Sequence, residues 1–383
     1  MLSAFRRAGA AVREAVRGTG FIEDCYMVAG ALTSLLTCGC TGDVSESVRF
    51  TGSWSVMDGP GAAGEVADCL GGAVHLAYAQ ASASGPAAIT AGFSAYEAQT
   101  RAQARAVALD YLHRLSGEDG ERPGVGGRRL RLSDFVPEAP QESLAGVLGT
   151  GLLSGAPYRL PAEVVWLGER ESLVEPSVSG VVDQGAPAAV AELLAHDVVA
   201  RWWADPRHPL MRVSAHLDRL LPVSVTAAVS GLGLRVSAFV LVASDIRVAM
   251  VMVGGDGAML AVAAGRTVKA AVGAAFLQAM AVKAQPWDML TAGESLRRFA
   301  VWHREADYAA HLERSAVEAD PRLIEEPGGL RPSSWPEIAA RRFGHEPVAV
   351  DAAGSGETVK VVCPGAACYR AVPAGTTLPC PVP

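Results

Sequence analysis

The sequence predicts a mixed α/β fold, a mixed sheet surrounded by helices. Half of the 383 residues are hydrophobic and only 19% are charged, which provides enough apolar surface for a sizeable core. Short β-branched runs alternate along the chain with alanine-rich segments of helical length. No fixed-period repeat or heptad pattern interrupts this alternation, so a globular α/β protein is the expected class.

The charge balance excludes several functional classes. The chain has 33 Lys+Arg against 40 Asp+Glu, a net charge of −7, which argues against a general nucleic-acid-binding protein. The longest apolar stretch, residues 236–264, is interrupted by Asp245, Arg247 and a glycine cluster, so no transmembrane helix is expected. The N-terminus lacks the apolar region of a signal peptide, and seven cysteines are an odd number. We therefore expect a cytoplasmic protein with reduced thiols.

The sequence of residues 1–92 predicts few helices. Ser3 can cap an amphipathic helix that Gly18 ends, and residues 19–92 are rich in glycine and serine with short β-branched runs such as 47–50 and 74–78. We expect residues 1–84 to form a strand-and-loop region with one helix, belonging to the same fold as residues 85–383.

Three elements are predicted next. Ser94 and Glu97 have the spacing of a capping box and begin an alanine-rich helix that runs to Leu115. Residues 116–136 are charged and glycine-rich, which is typical of an exposed loop, and residues 160–166 predict a short strand. A second helix begins near Pro187, a favoured residue of the first turn, and runs to Trp203.

The remaining elements follow the same reasoning. Residues 234–242 and 247–253 are β-branched runs that predict a strand pair. A third helix runs from about Thr267 to Lys283, because Pro286 cannot continue it. Residues 302–317 predict a fourth helix, and residues 358–362 a strand near the C-terminus.

Common catalytic motifs are absent from the sequence. It contains no Gly-x4-Gly-Lys-Ser/Thr phosphate loop, no Gly-x-Ser-x-Gly elbow, no His-Glu-x-x-His and no dinucleotide fingerprint after a strand. Cys38 and Cys40, with Cys363 and Cys368, could supply four thiolates to a soft metal. Neither pair has the two-residue gap of a zinc knuckle, so small buried or idle thiols are the favoured interpretation.

Several segments together resemble the YcaO family, whose members use ATP to activate backbone amides in ribosomally made peptides. They are Gly92–Ala98 leading into an alanine-rich helix, Tyr158–Val165, Ser179-Gly180, the Glu192–Asp197 helix, and the ending Pro379-x-Pro381-x-Pro383. This order is similar to that of the family, and the Pro-x-Pro-x-Pro ending is similar to its azoline-forming branch.

The resemblance implies an ATP and Mg²⁺ site between the helices near residues 101–114 and 183–197. Carboxylates three or four residues apart share one helix face and can ligate such ions. The residues given nucleotide-binding roles by the resemblance are Glu192, Asp183, Gln184, Arg105, Asp110, Gln278 and Lys283, with Glu192 also a metal ligand. The terminal prolines Pro379, Pro381 and Pro383 would hold the end of the chain, where a proton is taken from the substrate.

The presumed metal site departs from the family pattern. Either Arg105 or Asp110 falls where the first glutamate belongs, and Ala195 takes the place of the partner of Glu192. An arginine removes a ligand and repels a metal ion while it attracts phosphate. Two hypotheses therefore stay open: an active ATP-dependent cyclodehydratase with a drifted metal site, or a degenerate homologue that binds the precursor peptide or scaffolds a partner. An unrelated α/β protein is a third alternative.

The resemblance also implies partners. The expected substrate is a Cys-, Ser- or Thr-containing ribosomal precursor peptide. Because no leader-recognition region is evident in the sequence, we expect a leader-binding partner subunit or a second YcaO protein, with a homodimer as another assembly. No nucleic acid or membrane partner is expected.

Overall fold

The computed structural model describes residues 54–59, 62–115, 127–137, 139, 146–167, 179–254, 260–284, 308–325, 333–352, 357–367 and 380. The chain divides into two compact units, Met1–Thr51 and Gly52–Pro383. The first unit, which contains the predicted N-terminal helix, lies outside the described residues. The domain boundary at residues 84 and 85 stays a prediction.

The first sheet is an antiparallel meander of four strands in chain order. Its strands are β1 Trp54–Gly59, β2 Ala62–Cys69, β3 Val74–Gln80 and β4 Ala87–Gly92. Along β3 the side chains alternate between two cores, as the period of a strand requires. One face of this sheet therefore packs on one helix and the other face on another.

The second sheet has the order β11-β10-β9-β8-β12, antiparallel except for the parallel pair of β8 and β12. Its strands are β8 Leu210–Arg212, β9 Val236–Ala243, β10 Ile246–Val253, β11 Ala261–Gly265 and β12 Ala316–Glu318. The β10 residues are apolar on both faces because helices cover both faces of the sheet.

The third sheet has the order β14-β13-β6-β7-β5, with β5 and β7 parallel and the other pairs antiparallel. Its strands are β5 Arg128–Arg129, β6 Gly146–Gly151, β7 Pro157–Pro161, β13 Val348–Asp351 and β14 Thr358–Val362. Residues 180–182 run beside β14 and are hydrogen-bonded to it.

Three long helices lie between the sheets. They are α1 Ala95–Leu115, α2 Ala186–Ala204 and, after the short helices α3 Leu217–Leu220 and α4 Val223–Gly231, α5 Val268–Ala284. The cores show α1 packed between the first and third sheets, α5 between the first and second, and α2 between the second and third. The described residues also form the helices α6 Tyr308–Ser315, α7 Pro321–Glu325 and α8 Trp335–Phe343.

Local sequence signals account for the ends of the long helices. The Ser94 hydroxyl accepts the Glu97 N–H at 3.2 Å, and the Glu97 carboxylate accepts the N–H of Phe93, the residue before the cap, at 3.0 Å, so both side chains satisfy backbone donors at the start of α1. Pro187 lies in the first turn of α2, where its missing N–H costs nothing. None of the described helices is both long and apolar enough to span a membrane.

Most predicted elements are confirmed. The mixed α/β class, the helices near residues 94–115, 187–203 and 267–283, and the β9–β10 pair are as expected. Of the segments 19–92, the run at 74–78 falls in β3, while the run at 47–50 lies outside the described residues.

Two boundaries and the exposure of one loop were predicted wrongly. The strand at 160–166 ends at Pro161, and a 3-10 turn over Ala162–Val164 follows because these residues coil into the core. The predicted helix through residue 317 ends at Ser315, since 316–318 pair with β8. Within the loop expected at 116–136, Leu132 and Phe135 are buried, each 1% exposed.

Candidate functional site

Side chains from α1 and α2 meet on the segment that precedes α2. Arg101 and Arg105 are four residues apart and share one face of α1, and Glu192 and His196 are related in the same way on α2. Residues 179–183 lie between these two faces. We call these four side chains, together with Asp183 and the 179–183 segment, the inter-helix site.

Arg101 holds the end of this segment. Its Nε and Nη2 donate to Asp183 Oδ2 at 3.1 and 2.8 Å, and its Nη1 donates to the carbonyl oxygen of Ala91 at 3.2 Å. The side chains of Arg101 and Asp183 are only 13% and 15% exposed. A largely buried, charge-assisted pair therefore joins α1 to the residues just before α2.

Arg105 lies one turn further along α1 and faces α2. Its Nη1 donates to the carbonyl oxygen of Val181 at 3.3 Å and lies 3.8 Å from Glu192 Oε1. Glu192 Oε2 accepts the Gly180 N–H at 2.9 Å. Burial raises the pKa of Glu192 above its ordinary value, although Arg105 and the Gly180 N–H favour the ionised carboxylate. Glu192 is thus already engaged by a cation and a backbone donor.

His196 fixes the start of the segment. Its Nδ1 lies 2.5 Å from the Ser179 hydroxyl oxygen, and the imidazole is 8% exposed. Burial, aided by the positive charge of Arg105, lowers the pKa of His196 from 6.5 to about 4. The imidazole is therefore neutral at pH 7 and acts as a hydrogen-bonding partner for the turn.

The backbone of the segment leaves no room for a larger residue at position 180. Gly180 has φ +79°, and a Cβ there would lie 2.2 Å from the carbonyl oxygen of Val361. Val361 N–H donates to Gly180 O at 2.8 Å, and Val182 N–H donates to Val359 O at 3.0 Å. The segment is held to β14 by its backbone and to the two helices by side chains.

The other predicted site residues lie elsewhere or are exposed. Asp110 accepts from the Ser82 hydroxyl at 2.5 Å and pairs with Arg114 at 2.9 Å, beside the β3–β4 turn. Gln184 is exposed next to Asp183.

On α5, Gln278 is half-buried, and Lys283 donates to the carbonyl oxygen of Val253 at 3.4 Å. Within the described residues, neither side chain makes a hydrogen bond or ion pair with the inter-helix site.

Of the predicted Pro-x-Pro-x-Pro segment at residues 379–383, the structure describes Cys380 alone. Pro379, Pro381 and Pro383 lie outside the described residues. Cys380 is half-buried and packs against the core formed by α2, the second sheet and Tyr308. The role given to the three prolines stays a prediction.

Two groups were not predicted as site residues. Arg101 is one of them, although its i,i+4 spacing to Arg105 was visible in the sequence. The other is the buried Asp197 hub: its carboxylate accepts from Arg201 Nε at 2.8 Å, Arg342 Nε at 2.6 Å and the Ala367 N–H at 2.9 Å. Asp197 and Arg201 are an i,i+4 pair on one helix, whereas the two distant partners of Asp197 carry no sequence signal.

The residues of the inter-helix site do not fit Mg²⁺. A magnesium ion prefers several carboxylate oxygens and water, whereas Asp183 and Glu192 each face an arginine here. No group of three or more His, Cys, Asp or Glu side chains among the described residues could hold a metal ion. The arrangement can anchor a backbone segment between two helices, and it offers no carboxylate cluster to a cation.

Comparison with known proteins identifies the fold. No family model matches the sequence, and no curated protein matches it. YcaO from Methanopyrus kandleri, solved with AMPPCP and Mg²⁺, superposes with a TM-score of 0.52 at 15% identity, covering 78% of this chain and 84% of that chain. A heterocyclase in complex with substrate and cofactor gives a TM-score of 0.54 at 13% identity, over 78% of this chain.

These matches show a YcaO-like fold. This chain spans about half the length of the heterocyclase, since the match covers 48% of that protein.

Proposed function

We propose that this chain is a YcaO-family component of a ribosomal-peptide modification pathway in which Cys, Ser or Thr residues of a precursor peptide become azolines. The shared fold and the ordered set of sequence segments support the family assignment. The match to a heterocyclase solved with its substrate supports a peptide as the substrate class.

Azoline formation requires that the amide oxygen be converted into a good leaving group. The side chain of Cys, Ser or Thr adds to the preceding amide carbonyl carbon, and the former carbonyl oxygen must then leave. Oxide is a poor leaving group, whereas transfer of a phosphoryl group from ATP to that oxygen lets it leave as phosphate. The ring forms with net loss of one water from the peptide.

We propose that this chain does not itself supply the ATP step, and instead binds the precursor peptide or scaffolds the subunit that does. One observation carries this choice: Arg105 lies between the Val181 carbonyl oxygen and Glu192, where a metal-ligating glutamate would be needed. A guanidinium in that position removes a ligand and repels a divalent ion.

A second candidate function is that the chain is itself the ATP-dependent cyclodehydratase. The observation in its favour is the Pro-x-Pro-x-Pro motif at residues 379–383. In this case that segment would lie where a proton is taken from the substrate.

Reconstitution tests both candidates. The full chain is incubated with ATP, MgCl₂, a Cys-, Ser- or Thr-containing precursor peptide and a candidate partner, either a second YcaO or a leader-binding subunit. Peptide mass and released phosphate are measured. We expect the complete mixture to remove one water per ring. Omission of this chain should abolish ring formation, and this chain alone should release no phosphate.

Two variants and one omission separate the outcomes. Under the scaffolding proposal, neither deletion of residues 379–383 nor the separate substitution Glu192→Ala reduces phosphate release by the partner, provided that the variant is folded. Loss of phosphate release with retained peptide binding in the shortened chain would favour the cyclodehydratase instead. A peptide mass that is the same with and without this chain would refute a role in the pathway.

A further inference from the structure

We infer that Arg101 and Arg105 stand in the inter-helix site where divalent cations would have to stand, so that this chain takes no Mg²⁺-bound nucleotide there. The disagreement between the YcaO-like fold and the charge of this site is the basis of the inference. The two arginines of α1 cross-link the carboxylates of the α2 side directly, as a bridging ion would.

The carboxylates at this site are already occupied. Asp183 receives two donors of Arg101 on one oxygen, and Glu192 receives the Gly180 N–H while Arg105 lies 3.8 Å away. The side chains of these two arginines and two carboxylates are each between 13% and 21% exposed. Charges this well shielded from water interact more strongly than charges at an open surface.

A metal ion could enter only by displacing the arginines. A displaced Arg105 would leave the Val181 carbonyl oxygen without its side-chain donor, and a displaced Arg101 would leave the Ala91 carbonyl oxygen likewise. Both guanidinium groups would remain on α1 close to the incoming cation, which they repel. The displaced guanidinium groups would also lose their carboxylate partners while still largely shielded from water, which is unfavourable.

The backbone of the segment is also engaged, so it offers little to phosphate. The Gly180 N–H donates to Glu192, and the Val182 N–H donates to Val359. Phosphate groups are commonly bound by free N–H groups of a turn or a helix N-terminus. At Gly180 and Val182 those donors face protein acceptors.

This inference rests on the geometry of the inter-helix site and does not depend on the peptide-modifying role. The two tests are separate: a binding experiment on this chain can fail while the azoline assay succeeds, and the reverse also holds.

The first measurement uses the wild-type full chain. Its thermal unfolding is followed in EDTA, in millimolar MgCl₂, and in MgCl₂ with AMPPCP, and calorimetric titration measures AMPPCP binding directly. A ligand that binds only the native state raises the Tm. We expect the same Tm in all three conditions and no heat of binding.

The second measurement asks whether the arginine occupies the place of the cation. Arg105→Glu brings a third carboxylate to Asp183 and Glu192, so the variant should unfold several degrees lower in EDTA and recover much of that loss in MgCl₂. Arg105→Gln removes the charge without adding a ligand and should be insensitive to Mg²⁺. Lys269→Glu, an exposed charge reversal on α5 with no Asp or Glu within four residues along the chain, is the control for charge change and should also show no Mg²⁺ effect.

Each outcome decides the inference. A rise in the wild-type Tm with Mg²⁺ or with AMPPCP would overturn it. So would an Arg105→Glu chain that folds and shows no recovery in MgCl₂, since the arginine would then not stand at a cation position. Should Arg105→Glu fail to fold, Arg101→Glu replaces it in the same comparison, with the wild-type titration decisive on its own.

Discussion

At the scale of single residues, buried charge is concentrated at a few positions that join distant parts of the chain. Asp197 is completely buried and binds two arginines and one backbone N–H, from α2, α8 and the residues after β14. The inter-helix site has the same character, with each carboxylate facing an arginine from another element or a backbone donor. These contacts fix the relative placement of elements that are far apart in sequence.

Asp197→Ala should lower the free energy of unfolding by about 3 kcal/mol, because two arginines and one amide lose their common acceptor. Urea denaturation monitored by circular dichroism measures the change. Asp205→Ala is the control: Asp205 pairs with Arg207 at the surface, where side chains are 53% and 80% exposed, and the loss there should stay below about 1 kcal/mol. Equal effects at the two positions would contradict the role given to the Asp197 hub.

His196 makes stability depend on pH. Its pKa is lowered from 6.5 to about 4 by burial and by Arg105, so the unfolded chain binds more protons than the native chain between these values. The free energy of unfolding should therefore be fully retained above pH 6.5 and fall by roughly 3 kcal/mol as the pH drops to 4.

His196→Gln tests this pH dependence. The variant should be less stable at pH 7, since the Ser179 contact is disturbed, but its unfolding free energy should vary less between pH 6.5 and 4. His208→Gln, at an exposed position, is the control and should retain the wild-type slope. The same slope in His196→Gln and wild type would rule out His196 as its source.

At the scale of elements, the 179–183 segment shows how a short stretch of backbone can be fixed from three sides. Strand β14 holds its backbone, α1 holds Val181 and Asp183, and α2 holds Ser179 and Gly180. Gly180 is the residue on which this arrangement depends most, because it combines a positive φ with a close approach to Val361.

Gly180→Ala should destabilise the chain by about 3 kcal/mol, more than a positive φ alone would cause. Gly344→Ala is the matched control: its φ is +74° against +79°, but nothing lies within 4 Å of its added Cβ. That control should cost only about 1 to 2 kcal/mol, the ordinary price of a left-handed alanine. Denaturant titrations of both variants give the difference, and equal losses would mean that the contact with Val361 relaxes freely.

Local elements could be predicted from the sequence where the signal is itself local. Ser94 and Glu97 began α1 as expected, and Pro187 marked the first turn of α2. The 3-10 turn after Pro161 and the strand at 316–318 were missed, because each depends on a partner far along the chain. The sequence predicted part of the inter-helix site, because Arg105 and Glu192 occupy helix positions that the family resemblance marks. The pairing of Arg101 with Asp183, 82 residues away, depends on the tertiary structure and was not predicted.

At the scale of the whole molecule, the part of the chain that the structure describes contains three long helices, each between two of its three sheets. The sequence alone predicted a mixed sheet with surrounding helices, which is confirmed, but not the division into three sheets. Strand order is set by which apolar faces meet, and both faces of β3 and of β10 are apolar enough to pack on either side. Such strands carry no alternation that would tell one covered face from the other.

Truncation tests where the structural unit begins. A chain starting at Gly52 should keep cooperative thermal unfolding, since the described cores draw on residues from Val66 onward. A chain starting at residue 85, the predicted boundary, should lose it, because Ala77 and Ala79 of β3 would no longer cover α1. Differential scanning calorimetry compares the two. Cooperative unfolding of the shorter chain would instead support the boundary at residues 84 and 85.

The backbone donors of the 179–183 segment also provide a direct probe of motion. The amide hydrogen of Gly180 is held by a side chain of α2, and that of Val182 by a main-chain oxygen of β14. Deuterium replaces such hydrogens only when the contact opens. The exchange rate at Gly180 therefore reports on opening of the contact with α2, and the rate at Val182 on opening of the contact with β14. The ratio of the two rates shows which contact opens more readily.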